Sequence, residues 1–449
     1  MFCSQCGKKL PDTAMFCVNC GHKFDKTGGR KCINVKKKKF IKKFVIVGCC
    51  TCLPILIYFS LFHKTPDWNY RIDDGKATIM RYNGKESVII IPETIKIGLI
   101  SYDVTRIDWI EFNEYSNMTS IEIPGSVTEI DNNAFEDCSN LTSVVIQEGV
   151  ESIGGNAFEG CSSLTSIEIP GSVEKIGDYA FKDCSSLTSV EIQEGVAEIG
   201  KGVFCNCISL ASVEIPESVT SIDESAFSWC SSLASIEIPG GVTEIGRAAF
   251  IGCDGLTSIE IPGSVTKIDD SVFSGCSSLT SVVIQKGIAK IGKSTFEGCS
   301  SLASIELPGS VTEMGNYAFK DCSSLTSIEI PGSVTEIGDY AFENCSSLSN
   351  VVMQDGVTKI GYCAFYDCGK LTSAEIPESV IEIGDGAFYN CEVLTDVEIP
   401  DGVTEIGVHT FWNCDSLQSI WMPESVTNVG NYVDSGKRES GKKLWIKMW

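Results

Sequence analysis

Apolar residues return along this chain on a fixed beat of 23 positions, without insertion or deletion, and the cleanest unit reads LTSIEIPGSVTEIGDYAFENC from Leu325 to Cys345. Within it Leu325, Ile328 and Ile330 define an L-x-x-I-x-I core whose last two apolar residues alternate with polar ones, the pattern of a short strand with one face buried. A Pro-Gly turn comes next, then a V-x-x-I step that predicts a second short strand. The A-F-x-x-C segment predicts a helical turn that seats its Phe inside. Cysteine marks the period: Cys138, Cys161, Cys184, Cys207, Cys230, Cys253, Cys276, Cys299, Cys322, Cys345, Cys368, Cys391 and Cys414 each have Phe three before and Leu three after. A unit this small cannot bury its own apolar stripe, so each must stack on the next. The expected fold class is a β-rich repeat solenoid over residues 118–430, with 23-residue units of short parallel strands plus a helical turn.

Two columns of the repeat stand out. After the second strand one position holds only Gly or Asp, as in Gly154, Gly177, Gly200, Asp223, Gly246 and Asp269, which fits a turn of unusual dihedral or a cap for the helical turn. The other lies between the inward residues of the first strand. It reads Glu122, Val145, Glu168, Glu191, Glu214, Glu237, Glu260, Val283, Glu306, Glu329, Val352, Glu375, Glu398 and Trp421. The matching column on the second strand mixes signs. Like charges stacked side by side oppose the pairing that stability alone favours, so Glu168, Glu191, Glu214, Glu237 and Glu260 are the candidate ligand-binding face, able to attract Ca²⁺ or a basic partner. Copying of one repeat accounts for the same glutamates without a function.

The residues ahead of the repeats have a different character. Cys3 and Cys6, then Cys17 and Cys20, form two C-x-x-C pairs in residues 1–24, the spacing of a closed tetrahedral Zn²⁺ site. So short a segment needs the metal for its stability. Residues 25–43 are a basic linker with a run of lysines, and Phe44 to Phe62 are uncharged. As a helix that run covers about 28 Å, close to the thickness of a bilayer core, so a single transmembrane helix is expected over residues 44–62. The lysines on its N-terminal side put the N-terminus in the cytoplasm and the repeats outside. A cleaved signal peptide and a lipoprotein signal at Cys49 fit less well, the first because a folded module precedes the apolar run.

Residues 66–117 carry a looser pattern, with two candidate strands and a turn at Asn83-Gly84, and are expected to cap the first open coil. After Val429 the period stops. The basic, aromatic tail of residues 431–449 could fray, meet an anionic surface or cover the last coil. Charge follows the same division: residues 1–66 hold 13 Lys and Arg against 2 acids, the remainder 22 against 57, for a net −24.

Composition narrows the chemistry. The 23 cysteines would suggest a disulfide scaffold, but 13 fill one column of odd number and 4 have metal-type spacing, so the repeat thiols are read as reduced, buried side chains. The only histidines are His22, His63 and His409, and His409 is the one that falls within the repeats. No nucleophile and base can be paired elsewhere in the repeats, and no phosphate-binding glycine loop occurs, so no enzyme is expected.

The repeat columns resemble the BspA-like leucine-rich repeats of bacterial and some protozoan surface proteins, and residues 1–24 are similar to zinc-ribbon modules at the N-termini of bacterial membrane proteins. That resemblance implies a leucine-rich-repeat fold. It also implies a membrane-anchored surface protein that binds proteins or other macromolecules, in adhesion or cell-surface contact, with no nucleic acid expected. Two other readings remain open: a sensor whose ectodomain ligand is reported to the cytoplasmic zinc ribbon, and an intracellular scaffold whose apolar run does not insert.

Overall fold

Each repeat buries its Val, Ile, small residue, Phe, Cys and Leu around one continuous interior, as in Val173, Ile176, Ala180, Phe181, Cys184 and Leu187, all fully buried. The computed structural model describes residues 67–108 and 117–431, and the backbone alone of the strands His63–Lys64 and Trp445–Met448. All of these fall in one compact unit, Ile57–Trp449. The zinc module with Cys3, Cys6, Cys17 and Cys20, the basic linker and the apolar run 44–62 lie outside the described residues. Among the described residues no helix is long and apolar enough to cross a membrane.

The chain is a β-solenoid. Each second strand is two residues long and pairs in parallel with its equivalent 23 positions on, beginning at Arg106–Ile107 against Glu129–Ile130 and ending at Glu405–Ile406 against Asn428–Val429. With the N-terminal cap these form one 19-stranded sheet. The longer first strands, joined by Val88–Ile90 at one end and Trp445–Met448 at the other, form four separate sheets of three, three, two and six strands. At Ser235 their pairing shrinks to a single bridge with Ser258. The shorter strand is thus the continuous spine.

The expected helical turn is absent, and no described residue is helical. Two residues of the A-F-x-x-C region sit in the left-handed region of the backbone in each coil, for example Asn133 (φ 59°) and Asp137 (φ 58°). A right-handed helix needs consecutive negative φ values, so two such residues four apart break it. The segment instead makes tandem turns whose alternate N–H groups point along the solenoid axis. Asn133 donates to the Gly155 carbonyl (2.9 Å), Phe135 to Ala157 (2.7 Å) and Asp137 to Glu159 (2.7 Å), which gives the solenoid a third edge of coil-to-coil bonds. The Phe rings stack beneath that edge, with Phe158 and Phe181 at 5.2 Å and 1° apart.

The Gly/Asp column also needs correction. Its glycines are outside the left-handed region; what excludes a side chain is close approach. A Cβ on Gly177 would come 2.6 Å from the backbone carbon of Gly154 and the nitrogen of Gly155. Where Asp stands instead, its carboxylate accepts from the next N–H, as Asp223 does from Glu224 at 2.6 Å. Asp is accommodated because it returns a hydrogen bond that Ala could not.

At the N-terminal end, β1 (His63–Lys64), β2 (Trp68–Asp73) and β3 (Lys76–Tyr82) are antiparallel neighbours, and β3 lies parallel to β6 (Ile100–Ile107), which leads into the spine. The hairpin turn is Asp74–Gly75, with both φ values positive (49° and 78°), as a two-residue hairpin requires. Asn83–Gly84, the expected turn, instead carries the chain from that sheet to β4 (Val88–Ile90) in another. Between β4 and β6, β5 (Thr94–Ile97) folds back on β6 as an antiparallel pair. At the other end Trp445–Met448 pairs in parallel with Ser419–Met422, so of the three fates open to the tail its backbone takes the one that covers the last coil.

Candidate binding face

The first strands alternate buried and exposed residues, so the glutamate column is held on the outer surface by the burial of Ile or Val on either side. Register places Glu168 against Glu191 and Glu191 against Glu214, side by side on adjacent parallel strands. Glu168, Glu191, Glu214, Glu237 and Glu260 are all exposed.

Sequence reading missed the residue that sorts these carboxylates. Four coils carry Gln where the others have Pro, and each Gln reaches back one coil to the glutamate 25 positions earlier. Gln147 donates to Glu122 at 2.7 Å, Gln285 to Glu260 and Gln354 to Glu329 at 2.5 Å, and Gln193 to Glu168. Behind Glu191, Glu214 and Glu237 the same position is Pro216, Pro239 and Pro262, which have no side-chain donor. Among the described residues no cation or amide reaches those three. The signal was in the sequence, as an I-P to I-Q exchange, but its meaning needs the spatial offset between coils.

The second-strand face differs in charge balance. There Lys175 pairs with Glu198 (2.8 Å), Lys290 with Glu313 (3.4 Å), and Lys359 lies between Glu336 (3.2 Å) and Glu382 (3.3 Å). These partners sit on neighbouring coils, so stacking itself neutralises that face. The hydrogen bond that Lys175 donates to Glu198, and those that Lys359 donates to Glu336 and Glu382, raise the pKa of each lysine. The acidic column of the first face has no counterpart of this kind.

The ladder does not gather into a cation cage: among the described residues no group of three or more His, Cys, Asp and Glu could hold a metal ion. His409 stands in the left-handed turn column (φ 58°), edge-on to Tyr389 and Trp412. The column cysteines are free and buried. From Cys161 to Cys414 each thiol donates to the carbonyl of the Phe 26 positions earlier, as Cys184 does to Phe158 at 3.3 Å. Burial pushes the Cys184 thiol up to about 12 from its ordinary 9.0, so these groups are inert struts.

Comparison with solved structures finds bacterial leucine-rich-repeat proteins. A protein of this kind from Bacteroides ovatus ATCC 8483 is 27% identical, covers 86% of this chain and 99% of its own, and superposes with a TM-score of 0.64. A leucine rich cell surface protein from Faecalibacterium prausnitzii A2-165 is 30% identical over 84% of this chain and 95% of its own, with a TM-score of 0.49. Comparison with curated proteins returns no match. Residues 2–24 match the zinc-ribbon domain, and that span contains the expected donors Cys3, Cys6, Cys17 and Cys20. Residues 105–234, 197–326 and 313–437 match the BspA type leucine rich repeat region, and with most of its length so matched the chain belongs to the BspA-type leucine-rich-repeat family.

Proposed function

We propose that this protein is a membrane-anchored surface receptor or adhesin whose repeat domain lies outside the cell and binds a basic macromolecular partner along the first-strand face. The contrast between the two sheet faces carries this reading. Coil stacking neutralises the second-strand face through pairs such as Lys175 with Glu198. The same stacking lines up Glu168, Glu191 and Glu214 without a cation among the described residues. Surplus charge of one sign on a rigid surface attracts an oppositely charged partner and speeds its encounter. A divalent cation such as Ca²⁺ would act there as a screening counter-ion spread over several carboxylates. The lysine-flanked apolar run 44–62 supports a single span with the N-terminus in the cytoplasm.

A sensor reading is favoured by one further observation, the zinc-ribbon match at residues 2–24 on the other side of that span. In that case the Zn²⁺ module held by Cys3, Cys6, Cys17 and Cys20 would pass the binding event to a cytoplasmic protein. A pull-down with residues 1–43 separates the two, since an adhesin needs no partner there. Protease treatment of intact cells tests the topology: the repeats should be lost and the zinc module kept. The face is tested by changing Glu191, Glu214 and Glu237 together to Gln. Binding to cell-surface extracts in low salt should weaken, and unchanged binding would leave the ladder as duplicated surface.

A further inference from the structure

Along the third edge of the solenoid, where the tandem turns run, the C-terminal coils carry a row of neighbouring outer aromatic rings, whereas Tyr179 and Trp229 stand singly in the same turns of earlier coils. Tyr317 and Tyr340 stack at 5.0 Å and 6°, and Tyr366 and Tyr389 at 4.9 Å and 13°. Parallel stacking then fails at two places: Tyr362 meets Tyr340 at 67°, and His409 meets Tyr389 at 89°. Tyr362 is 45% exposed. A tilted ring cannot cover its neighbour's face, so aromatic surface is left to solvent there.

Charge on this stretch is one-sided. From Asp339 to Asn413 the turn segments carry Asp339, Glu343, Asp367, Asp385 and Glu392, and the Lys or Arg residues of the whole stretch are Lys359 and Lys370. Lys359 is held between two glutamates on the second-strand face. Asp339, Asp367 and Asp385 lie within a few residues of the ridge rings in sequence and share their turns. Burial first, then Tyr389 and Asp367, raise the Tyr366 hydroxyl above its usual pKa, so it stays a donor.

The chain shows what this surface takes. At the N-terminal end of the row, Lys293 and Lys320 each place their Nζ 5.5 Å from the centre of the Tyr317 ring. Beyond that ring the turns carry Asp339, Asp367 and Asp385 beside the aromatics, while Lys320 also pairs with Glu343 (3.0 Å) and Lys370 follows Asp367 by three residues.

We propose that this aromatic and acidic ridge, from Tyr340 to Trp412, is a docking surface for an arginine-rich segment of another protein. A guanidinium is flat, stacks on aromatic rings and forks onto carboxylates, whereas an ammonium offers only a point charge. The ridge supplies both partners on successive coils about 4.8 Å apart. It is a different surface from the glutamate ladder and does not depend on it.

The test is binding of oligo-arginine and oligo-lysine peptides of equal length to the full chain at physiological salt. Oligo-arginine should bind about tenfold more tightly. Tyr340→Ser, Tyr366→Ser and Tyr389→Ser together should abolish that preference. Because those rings are half-buried, a second variant, Asp339→Asn with Asp367→Asn, guards against misfolding. Asn316 and Asn344 already occupy those two columns one coil earlier, so the fold accepts the change. It should weaken oligo-arginine binding, while Glu191→Gln, Glu214→Gln and Glu237→Gln together should leave the arginine preference intact. Equal affinity for the two peptides would overturn the proposal. So would a folded Asn variant that binds as before, or a ridge that takes up a neutral polysaccharide and ignores arginine.

Discussion

The Cys161 thiol donates to the backbone carbonyl of Phe135, one coil earlier, at 3.3 Å. The same bond recurs in every later coil to Cys414 and Phe388, at 3.1 Å in the last. Cysteine in these coils is therefore a small apolar filler with one weak donor, aimed along the solenoid axis.

The thiols set a pH limit. Burial holds the folded-state pKa of Cys184 at about 12, above its ordinary value of 9.0. A raised thiol pKa adds stability that is fully present below about pH 9 and is lost as pH rises toward 12, because the unfolded chain releases its protons first. Melting temperature should fall steeply with pH above 9. Thiolate absorbance from the column should appear only with unfolding, and appearance in the folded protein would show the column to be open to solvent. A thiol reagent at neutral pH should reach the half-exposed Cys205 before any column cysteine.

Removal of one ring from the inner stack should cut the solenoid in two. Phe250 lies 5.4 Å from Phe227 and 5.5 Å from Phe273, and is fully buried. Phe250→Ala should cost about 3–5 kcal/mol and leave a cavity shared with both neighbours. Since each coil touches only the next, denaturant unfolding should change from one transition to two. A single transition of unaltered midpoint would contradict this picture of the core.

Close approach and left-handed backbone make different demands on glycine. Gly177→Ala would push a Cβ to 2.6 Å from the backbone of the preceding coil, an overpacking worth about 1–3 kcal/mol, whereas Gly177→Asp should recover part of the loss through the bond Asp223 makes. Gly275 has φ +76°, and a Cβ there would meet only the backbone of Gly252, at ordinary contact distances of 3.6 Å and more. Its change to Asn should be nearly neutral, because Asn206 and Asn390 hold that column in the same conformation. Thermal melts of the three variants rank them, and an Ala variant as stable as the Asp variant would sink the argument.

The zinc module should behave as a separate unit. Protein prepared under reducing conditions should carry one Zn²⁺, and exchange of Cys3 and Cys6 for Ser should abolish it. Chelation should release the metal without moving the melting transition of the solenoid, since the C-x-x-C pairs and the repeats share no ligand. Metal analysis paired with calorimetry decides it; a melt that shifts on chelation would mean the two units are coupled.

The period of 23 residues by itself determines which side chains face inward, because a stacked repeat has only one way to bury Leu, Ile, Val, Phe and Cys together. The burial of Phe181, Cys184 and Leu187 follows from their columns alone. The exposed position of Glu191 is equally legible, since strand alternation leaves it no other side. Three features depend on the third dimension. The A-F-x-x-C segment looks helical in one dimension, yet Asn133 and Asp137 turn their N–H groups toward the next coil, and a local pattern cannot reveal a bond to a residue more than 20 positions away. Gly177 is demanded by the backbone of Gly154, a neighbour that only stacking supplies. Gln193 binds Glu168 and leaves Glu191 to a proline, so which glutamates receive a hydrogen bond is decided by the offset between coils. Sequence determines what repeats can bury; geometry between the repeats decides which polar groups are left for a partner.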